Sequence, residues 1–417
     1  MTENQKEVLT FVKENDIKFV RLAFCDIFGV QKNIAVMAEQ LETIFERGAE
    51  LDVSKLAGFG DAPRGSLRLF PDPQSMSILP WRPQQGRVLR FFCDVRTPDG
   101  GAFALDARHI LQKTVEKTFQ KGYTCRIGTE CEFYLFKTDD EGRPVRHFLD
   151  NGGYLDVSPL DKGENIRREA CLALENMGIK PLSSHHERGP GQNEIKFKLG
   201  GVLAAADNFI SFKYVIKSVA ALNGLYASFL PKPVDGVSGS GVHIQFTLKK
   251  DNAPVYNGSP EALGFAAGIL GRIGELTLFL NPIYNSYRRF GAFEAPAHVT
   301  YSAKNEGQLL YLSDDAAAPM DMRLRSPDAA LNPYIAFALL LSAGMEGIEK
   351  GSLPDAKAKN PARAEALPGS LKDAALRAEK SAFARGILGG ELFDAFLQAK
   401  RREAETAETG ELFDERA

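Results

Sequence analysis

The segment GTECEFYLF, residues 128–136, decides the fold of this chain. Polar and apolar side chains alternate along it, and this alternation predicts a β-strand with one polar face and one buried face. Glu130 and Glu132 lie two residues apart, so both carboxylates share the polar face. Two adjacent negative charges need a positively charged partner. The segment therefore predicts a sheet with an acidic site on its open face.

Three more acidic or imidazole side chains follow this pattern in later segments. Glu187 and Glu194 belong to HHERGPGQNEIKF, residues 185–197, and His243 belongs to GSGVHIQF, residues 239–246. Clustered carboxylates are hard oxygen ligands suited to Mg²⁺ or Mn²⁺, and such ions commonly serve phosphoryl transfer. For any single strand a solvated polar face is the simpler interpretation, and a lone histidine is more often structural than a ligand. Several such strands together favour a metal site.

The composition of the 417-residue chain is that of a globular protein with a small-molecule partner. Hydrophobic residues make up 44% and charged residues 25%, which allows a sizeable core and two domains. A net charge of −3 argues against general binding to nucleic acid or to an anionic membrane. The five scattered cysteines favour a reducing cytoplasm. We see no signal peptide, and the longest apolar run, Tyr334 to Met345, is too short to span a bilayer.

Helical and extended patterns divide the chain near residue 100. A predicted helix over residues 3–14 and a strand in IKFVRLAFCD begin a small mixed domain, which RTPDGG ends. Asp106 then predicts the N-cap of a helix that runs to about Gly122. Strands alternate with long helices beyond it, and this order predicts an α+β or α/β fold. The predicted strands cover 126–136, 193–199, 241–249 and 321–325, and the predicted helices cover about 160–177, 203–229, 259–279 and 332–349.

Seven ordered segments make the chain resemble the glutamine synthetase family over nearly its full length. They are KFVRLAFCDIFGVQKN, PDPQSMSILPWRP with the following RFFCDV, GTECEFYLF, HHERGPGQNEI, GSGVHIQ, LNPIYNSYRRFGAFEAP and RSPDAALNPY. The resemblance implies an α+β fold with a small β-grasp-like N-terminal domain, residues 1–100, and a large catalytic domain, residues 101–417, with curved antiparallel strands. It also implies a homo-oligomer of stacked rings, usually a dodecamer, with each active site between the N-terminal domain of one subunit and the catalytic domain of its neighbour.

The same resemblance implies a reaction and its metal ligands. Family enzymes bind two divalent ions, Mg²⁺ or Mn²⁺. They transfer the ATP γ-phosphate to the γ-carboxylate of glutamate and let ammonia or an amine displace it. The residues matched to the first ion are Glu132, Glu187 and Glu194. The residues matched to the second ion are Glu130 and His243.

The resemblance also assigns the substrate groups. Arg289 and Arg325 would hold the substrate carboxylate, since a planar guanidinium pairs with two oxygens at once, and the backbone of Gly239 would contact the amino acid. Glu294 would be an acid on a flap near the incoming amine, and Asp52 would reach the neighbouring subunit's site to bind or deprotonate that amine. An ordinary surface turn is the alternative interpretation of Asp52, because the DGSS of the family is DVSK here.

Six positions depart from the family pattern, and most of them concern ATP phosphate or the second ion. Arg323 replaces a glutamate ligand, and Glu306 and Tyr311 replace arginines that grip phosphate. Phosphoryl transfer depends on positive charge around the transferred group, so these exchanges argue against a fully working nucleotide site. A pairing of Glu306 with Arg323 is one hypothesis, and a one-residue alignment slip within 304–325 is its alternative. The remaining departures are Asp321, Gln245 and Ser238.

Three interpretations of the activity follow. The first is an ATP-dependent ligase that joins glutamate to ammonia or an amine. The second is a family member without ligase activity that serves as a sensor of a glutamate-type ligand or as an assembly partner. The third is a one-metal enzyme that acts on γ-glutamyl amides without ATP. Because the triad Glu132, Glu187 and Glu194 is intact whereas the pair Glu130 and His243 is incomplete, the sequence predicts one well-held divalent ion, not two.

Overall fold

Two β-sheets with helices packed against them make up this computed structural model. It describes residues 1–53, 56, 59, 67–82, 85–305, 307–355, 360 and 363–406. Strands and helices are mixed along the chain, and the expected α+β architecture is confirmed. Glu306, for which the sequence suggested a pairing with Arg323, lies outside the described residues.

The smaller sheet is built from the N-terminal part of the chain. Its strand order is β2-β1-β6-β4-β3, with β5 also paired to β6, and the central pair β1 and β6 is parallel. Apolar residues of β1 and β6 are buried in the same core as apolar residues of α1 and α2. The strands are β1 Ile17–Cys25, β2 Gln31–Met37, β3 Ala49–Leu51, β4 Leu67–Pro71, β5 Ser77–Ile78 and β6 Arg87–Arg96, and the helices are α1 Glu3–Glu14 and α2 Leu41–Arg47.

The larger sheet is centred on β7, Tyr123–Thr138, which contains the segment that opened the sequence analysis. Its strand order is β15-β16-β17-β13-β7-β10-β9, and β8, β11, β12 and β14 pair at the sides. The other strands are β8 Pro144–Phe148, β9 Pro181–His186, β10 Gln192–Phe197, β11 Gly200–Gly201, β12 Leu225–Ser228, β13 Val242–Lys250, β14 Ala253–Pro254, β15 Tyr301–Ser302, β16 Leu310–Leu312 and β17 Met322–Leu324.

Apolar residues of β7, β10 and β13 bury one face of this sheet under long helices, and the other face holds the polar side chains. Ile127, Cys131 and Phe133 are fully buried, whereas Glu130 and Glu132 retain exposure. The alternation predicted for this face is therefore correct. The helices are α3 Ala107–Gln120, α4 Glu164–Asn176, α5 Val202–Leu222, α6 Pro260–Leu280, α7 Pro333–Glu349, α8 Leu371–Glu379, α9 Ala382–Leu388 and α10 Gly390–Thr406.

Helix boundaries confirm one prediction and correct another. Asp106 caps α3 by accepting from the backbone N–H groups of Arg108 and His109. The helix predicted over 203–229 is too long, because α5 ends at Leu222 and Gly224 has a φ of +68°. A left-handed residue ends a helix readily when it is glycine. The next four residues instead form β12, which pairs with β7.

Helix α6 is the one helix among the described residues that is long and apolar enough to span a membrane. Of its apolar window, 67% is buried inside the protein, where the helix packs against α7 and α8. Its composition is therefore accounted for by its place in the core.

A buried arginine joins the two parts of the chain. Arg108 of α3 donates to Asp207 of α5 at 3.0 and 2.8 Å, and also to Asp72 at 2.6 Å and Asp94 at 3.1 Å in the N-terminal part. Its side chain is 4% exposed, so these charge-assisted bonds lie away from solvent. They hold the smaller sheet in a defined position on the larger unit.

Candidate active site

The register of the larger sheet places the predicted residues in three rows that run across the strands. Side chains two apart on a strand share a face, so one strand can contribute a residue to each of several successive rows. The acidic row contains His185, Glu194 and Glu132, with the backbone of Gly241 beyond them; the central row contains Lys196, Glu130, His243 and Arg325; the outer row contains Gln245, Arg323 and Tyr311.

A cavity of about 590 Å³ opens over these rows. Loop residues complete its walls, including those after β9 and those of the segment 289–295. Its lining residues are Glu130, Glu132, Tyr154, His185, Glu187, Arg188, Gln192, Glu194, Ser238, Gly239, Gly241, His243, Arg289, Ala292, Phe293, Glu294, Ala295, Tyr311, Arg323 and Arg325. Most residues predicted for the site thus meet in one cavity.

The acidic row is crowded with carboxylates whose burial and mutual repulsion outweigh the nearby cations Lys196, Arg289 and Arg325. Burial raises the pKa of Glu194 to about 9, and repulsion from Glu132, Glu130 and Glu187 adds to it. Burial and the charge of Glu187 likewise raise the pKa of Glu132 to about 7. Hydrogen bonds to Glu132 from the Gly241 backbone at 2.8 Å and from Gln192 at 3.2 Å fix that carboxylate in place.

The acidic row fits one divalent cation. One ligand atom from each of His185, Glu187 and Glu194 lies within 4.8 Å of the others, and Glu132 borders this group. Oxygen ligands with an imidazole suit Mn²⁺, and a cation would relieve the repulsion that raises the pKa of these acids. His185 also contacts Glu187 through its Nε2 at 2.8 Å. Sequence reasoning missed His185, although the pair of histidines before Glu187 was a visible signal.

The central row is different, because its acid already has cationic and hydrogen-bonding partners. Lys196 pairs with one oxygen of Glu130, and His243 Nδ1 lies 3.1 Å from the other. Burial raises the pKa of Glu130, but these two partners outweigh it and lower the pKa to about 2. Burial lowers the pKa of His243, so its ring is neutral at pH 7. The role of Lys196 depends on the strand register, which places it opposite Glu130.

The outer row carries a polar network where phosphate-binding groups were expected. Arg323 donates to Asp321 at 3.1 Å, and Gln245 donates to the same carboxylate at 2.7 Å. The Arg323 guanidinium also lies 5.5 Å from the ring centre of Tyr311. Four of the six positions that depart from the expected pattern therefore contact one another. The proposed pairing of Arg323 with Glu306 stays untested, since Glu306 lies outside the described residues.

The two arginines expected to bind a carboxylate line the cavity. Arg289 is 4% exposed, and its Nη2 donates to the carbonyls of Ser326 and Pro327. Arg325 lies beside His243, with its Nε 3.4 Å from the imidazole Nε2. Gly239 must be glycine, because a Cβ there would lie 2.6 Å from the Pro231 carbonyl. Its neighbour Ser238 is buried, and the backbone carbonyl of Ser238 accepts from the Tyr134 hydroxyl at 2.6 Å.

The rim of the cavity carries the predicted flap acid. Glu294 forms an ion pair with Arg188, which lies on the loop between β9 and β10. Both side chains are about half exposed. Asp52 is exposed just after β3 and is not among the described residues that line the cavity of its own chain. Its contribution to a neighbouring copy stays a prediction.

A second imidazole–carboxylate cluster lies behind the acidic row and has structural partners. His186 contacts Asp150 at 2.9 Å, and Asp150 also accepts from the backbone of Gly152, Lys162 and Gly191. Asp161 pairs with the buried Arg167. These bonds fix the loop between β9 and β10, which carries Glu187 into the cavity.

Comparison with known proteins agrees with this architecture. The family model described as "Glutamine synthetase, beta-Grasp domain" matches residues 16–98, and "Glutamine synthetase, catalytic domain" matches residues 104–412. The expected β-grasp and catalytic domains are thereby confirmed.

Individual proteins are similar over nearly the whole chain. A glutamine synthetase of Methanosarcina mazei and one of Clostridium saccharobutylicum are each 40% identical, covering 96% of this chain and 94% of the relative. Solved structures of GmaS, with ADP and without ligand, superpose with a TM-score of 0.86 at 28% identity and cover 97% of both chains. The chain therefore belongs to the glutamine synthetase family.

Proposed function

We propose that the protein is a carbon–nitrogen ligase that uses ATP to join the γ-carboxylate of glutamate to ammonia or an amine. One observation carries this proposal: an acidic group fit for a divalent ion and two arginines fit for a carboxylate line the same cavity. Membership of a family of ligases supports the reaction class. We propose Mg²⁺ or Mn²⁺ as the metal and ATP as the source of the phosphoryl group.

The glutamate end of the site has the more complete set of groups. Arg289 and Arg325 present guanidinium groups for the α-carboxylate, and the backbone at Gly239 lies beside them for the amino acid. Arg289 is held by two backbone carbonyls, so its guanidinium is oriented before a ligand arrives. A dicarboxylic amino acid bound here would direct its γ-carboxylate towards the acidic row.

The acidic row, together with Glu187 of the adjacent loop, would hold one divalent ion through Glu187, Glu194, Glu132 and His185. Such an ion, when bound, neutralises the phosphoryl oxygens during transfer. The chain itself would supply a further positive charge through Arg323, which also lines the cavity. Hydrogen bonds from the Gly241 backbone and from Gln192 orient the Glu132 carboxylate.

We propose that the amine enters past the rim. Glu294 would shield the activated carboxylate from water, and Asp52 of a neighbouring copy would bind or deprotonate the amine. This arrangement needs a homo-oligomer, and a ring-based dodecamer in the cytoplasm is the assembly and location we propose. Members of the family bind small molecules and form oligomers, which supports a small-molecule substrate and other copies of this chain as the partners.

Amine-dependent phosphate release from ATP tests the function. Purified protein with L-glutamate, Mn²⁺ or Mg²⁺ and a panel of amines should release phosphate only when an acceptor amine is present. A Glu132→Gln variant should lose this release, whereas Arg288→Met should keep it, because Arg288 pairs with Asp235 outside the cavity. Absence of amine-dependent release with either metal would contradict the proposal.

A second candidate function is supported by the outer row. Because Arg323, Asp321 and Gln245 bond to one another, they have fewer donors left for ATP phosphates. A one-metal enzyme acting on γ-glutamyl amides, or a sensor of a glutamate-type ligand, would need no nucleotide. Release of amine from γ-glutamyl amides without ATP, abolished by Glu132→Ala, would support the enzyme. L-glutamate binding without any turnover would support the sensor.

A further inference from the structure

Glu130, Glu194 and His243 form a group whose ligand atoms lie within 4.8 Å of one another, which is close enough for a metal ion. The group differs from the acidic row in one respect. The ammonium of Lys196 already pairs with Glu130 across neighbouring strands, because the register places Lys196 directly opposite that acid. A cation is therefore present here as part of the chain.

Two of the three members of this group, Glu130 and His243, have their ligand atoms occupied by other protein atoms. Glu130 has Lys196 at one carboxylate oxygen and His243 Nδ1 at the other. With Nδ1 as the protonated nitrogen, the remaining lone pair of the imidazole is on Nε2, where Arg325 Nε lies at 3.4 Å. Neither Glu130 nor His243 thus has an unengaged atom aimed at a metal.

The surroundings add further positive charge. Arg325 lies beside His243 in the central row, and Arg323 lies in the next row, on the same face of the sheet. The Lys196 side chain is 26% exposed and that of Glu130 is 12% exposed, so water screens this pair only in part. A second divalent ion at this position would be repelled by Lys196 and Arg325, whereas the charge of Arg323 is paired with Asp321.

We infer that the Lys196 ammonium, held by Glu130, replaces a second divalent ion in this site. The centre then consists of one exchangeable metal ion in the acidic row and one covalently attached cation in the central row. This inference rests on the proposed function for its meaning in catalysis, but its test does not require turnover. The residues of the central row do not fit a second metal ion.

The number of Mn²⁺ ions bound per chain tests the inference. Isothermal titration of the full-length protein with Mn²⁺, without ATP, should give one ion per chain. Lys196→Asp should give two, because it removes the ammonium and adds a carboxylate beside Glu130 and His243. Lys196→Arg keeps the cation and should give one. Lys198→Ala, an exposed lysine two residues further along, is the matched control and should also give one.

Two Mn²⁺ ions bound to the wild-type protein would overturn the inference. A Lys196→Asp protein with a native circular dichroism spectrum that still bound one ion would overturn it as well. If that variant does not fold, Lys196→Gln serves instead and should gain a second, weaker ion. One bound ion without any ligase turnover would contradict the proposed function and leave the inference standing. Two bound ions with turnover would support the proposed function and contradict the inference.

Discussion

Neutralising Glu194 should stabilise the protein in the absence of metal. In the folded state its pKa is raised from 4.5 to about 9, so at pH 7 folding must protonate a carboxyl that is ionised in the unfolded chain. Each pH unit above 4.5 costs about 1.4 kcal/mol, which makes the penalty about 3 kcal/mol at pH 7. A glutamine carries no such penalty. Glu194→Gln should therefore raise the free energy of unfolding by about 3 kcal/mol at pH 7.

The direction of this pH dependence follows from which state, folded or unfolded, holds the proton. Between pH 4.5 and about 9 the folded state keeps a proton that the unfolded state has lost, so stability falls as the pH rises through this window. The gain from Glu194→Gln should therefore shrink to about 1 kcal/mol at pH 5.5. Urea unfolding followed by circular dichroism in the presence of EDTA measures both values.

Glu130→Gln is the matched comparison within the same site. The pKa of Glu130 is lowered to about 2, so its ionised form stabilises the folded state above pH 4.5, and this contribution is lost as the pH falls towards 2. Its replacement should destabilise the protein by about 3 kcal/mol at pH 7.

Added Mn²⁺ should raise the free energy of unfolding of the wild type but not that of Glu194→Gln. A metal-free Glu194→Gln protein that unfolds at lower urea than the wild type would refute this reasoning.

Three further outcomes follow from the same geometry. Mn²⁺ binding should release protons and tighten as the pH rises from 6 towards 9, because Glu132 and Glu194 must ionise to bind it; titrations in two buffers of different ionisation enthalpy would show this. Arg289→Met should weaken L-glutamate binding by roughly 10- to 100-fold by calorimetry, with Arg288→Met unchanged, since a charge-assisted bond is lost. Arg188→Ala should change the free energy of unfolding by no more than about 0.5 kcal/mol, because the Arg188–Glu294 ion pair is half exposed. The same variant should raise the rate of glutamate exchange in stopped-flow binding. An unchanged rate would show that this ion pair does not control access to the cavity.

Periodicity predicted much of this structure, because it reports local backbone geometry. The alternation in 128–136 gave the polar face of β7 correctly, and Asp106 was a correct N-cap. The end of α5 was missed because apolar residues resume directly after Asn223 and Gly224, and residues 225–228 form a strand only when β7 is beside them. Sequence identified which residues could be ligands but not how they pair.

Cross-strand register explains what was missed at the site. Lys196 meets Glu130 because β10 and β7 are aligned residue against residue, and no feature of β10 alone encodes that alignment. The same holds for Asp321, whose contact with Gln245 joins β13 to the residue before β17. The departures from the family pattern were visible in sequence, whereas their mutual contacts required the fold.

Anomalous diffraction from crystals grown with Mn²⁺ and L-glutamate tests the central claim most directly, because it locates each ion. The account predicts one manganese peak per chain, among His185, Glu187, Glu194 and Glu132, with Lys196 still paired to Glu130. A second peak bound by Glu130 and His243 would contradict it.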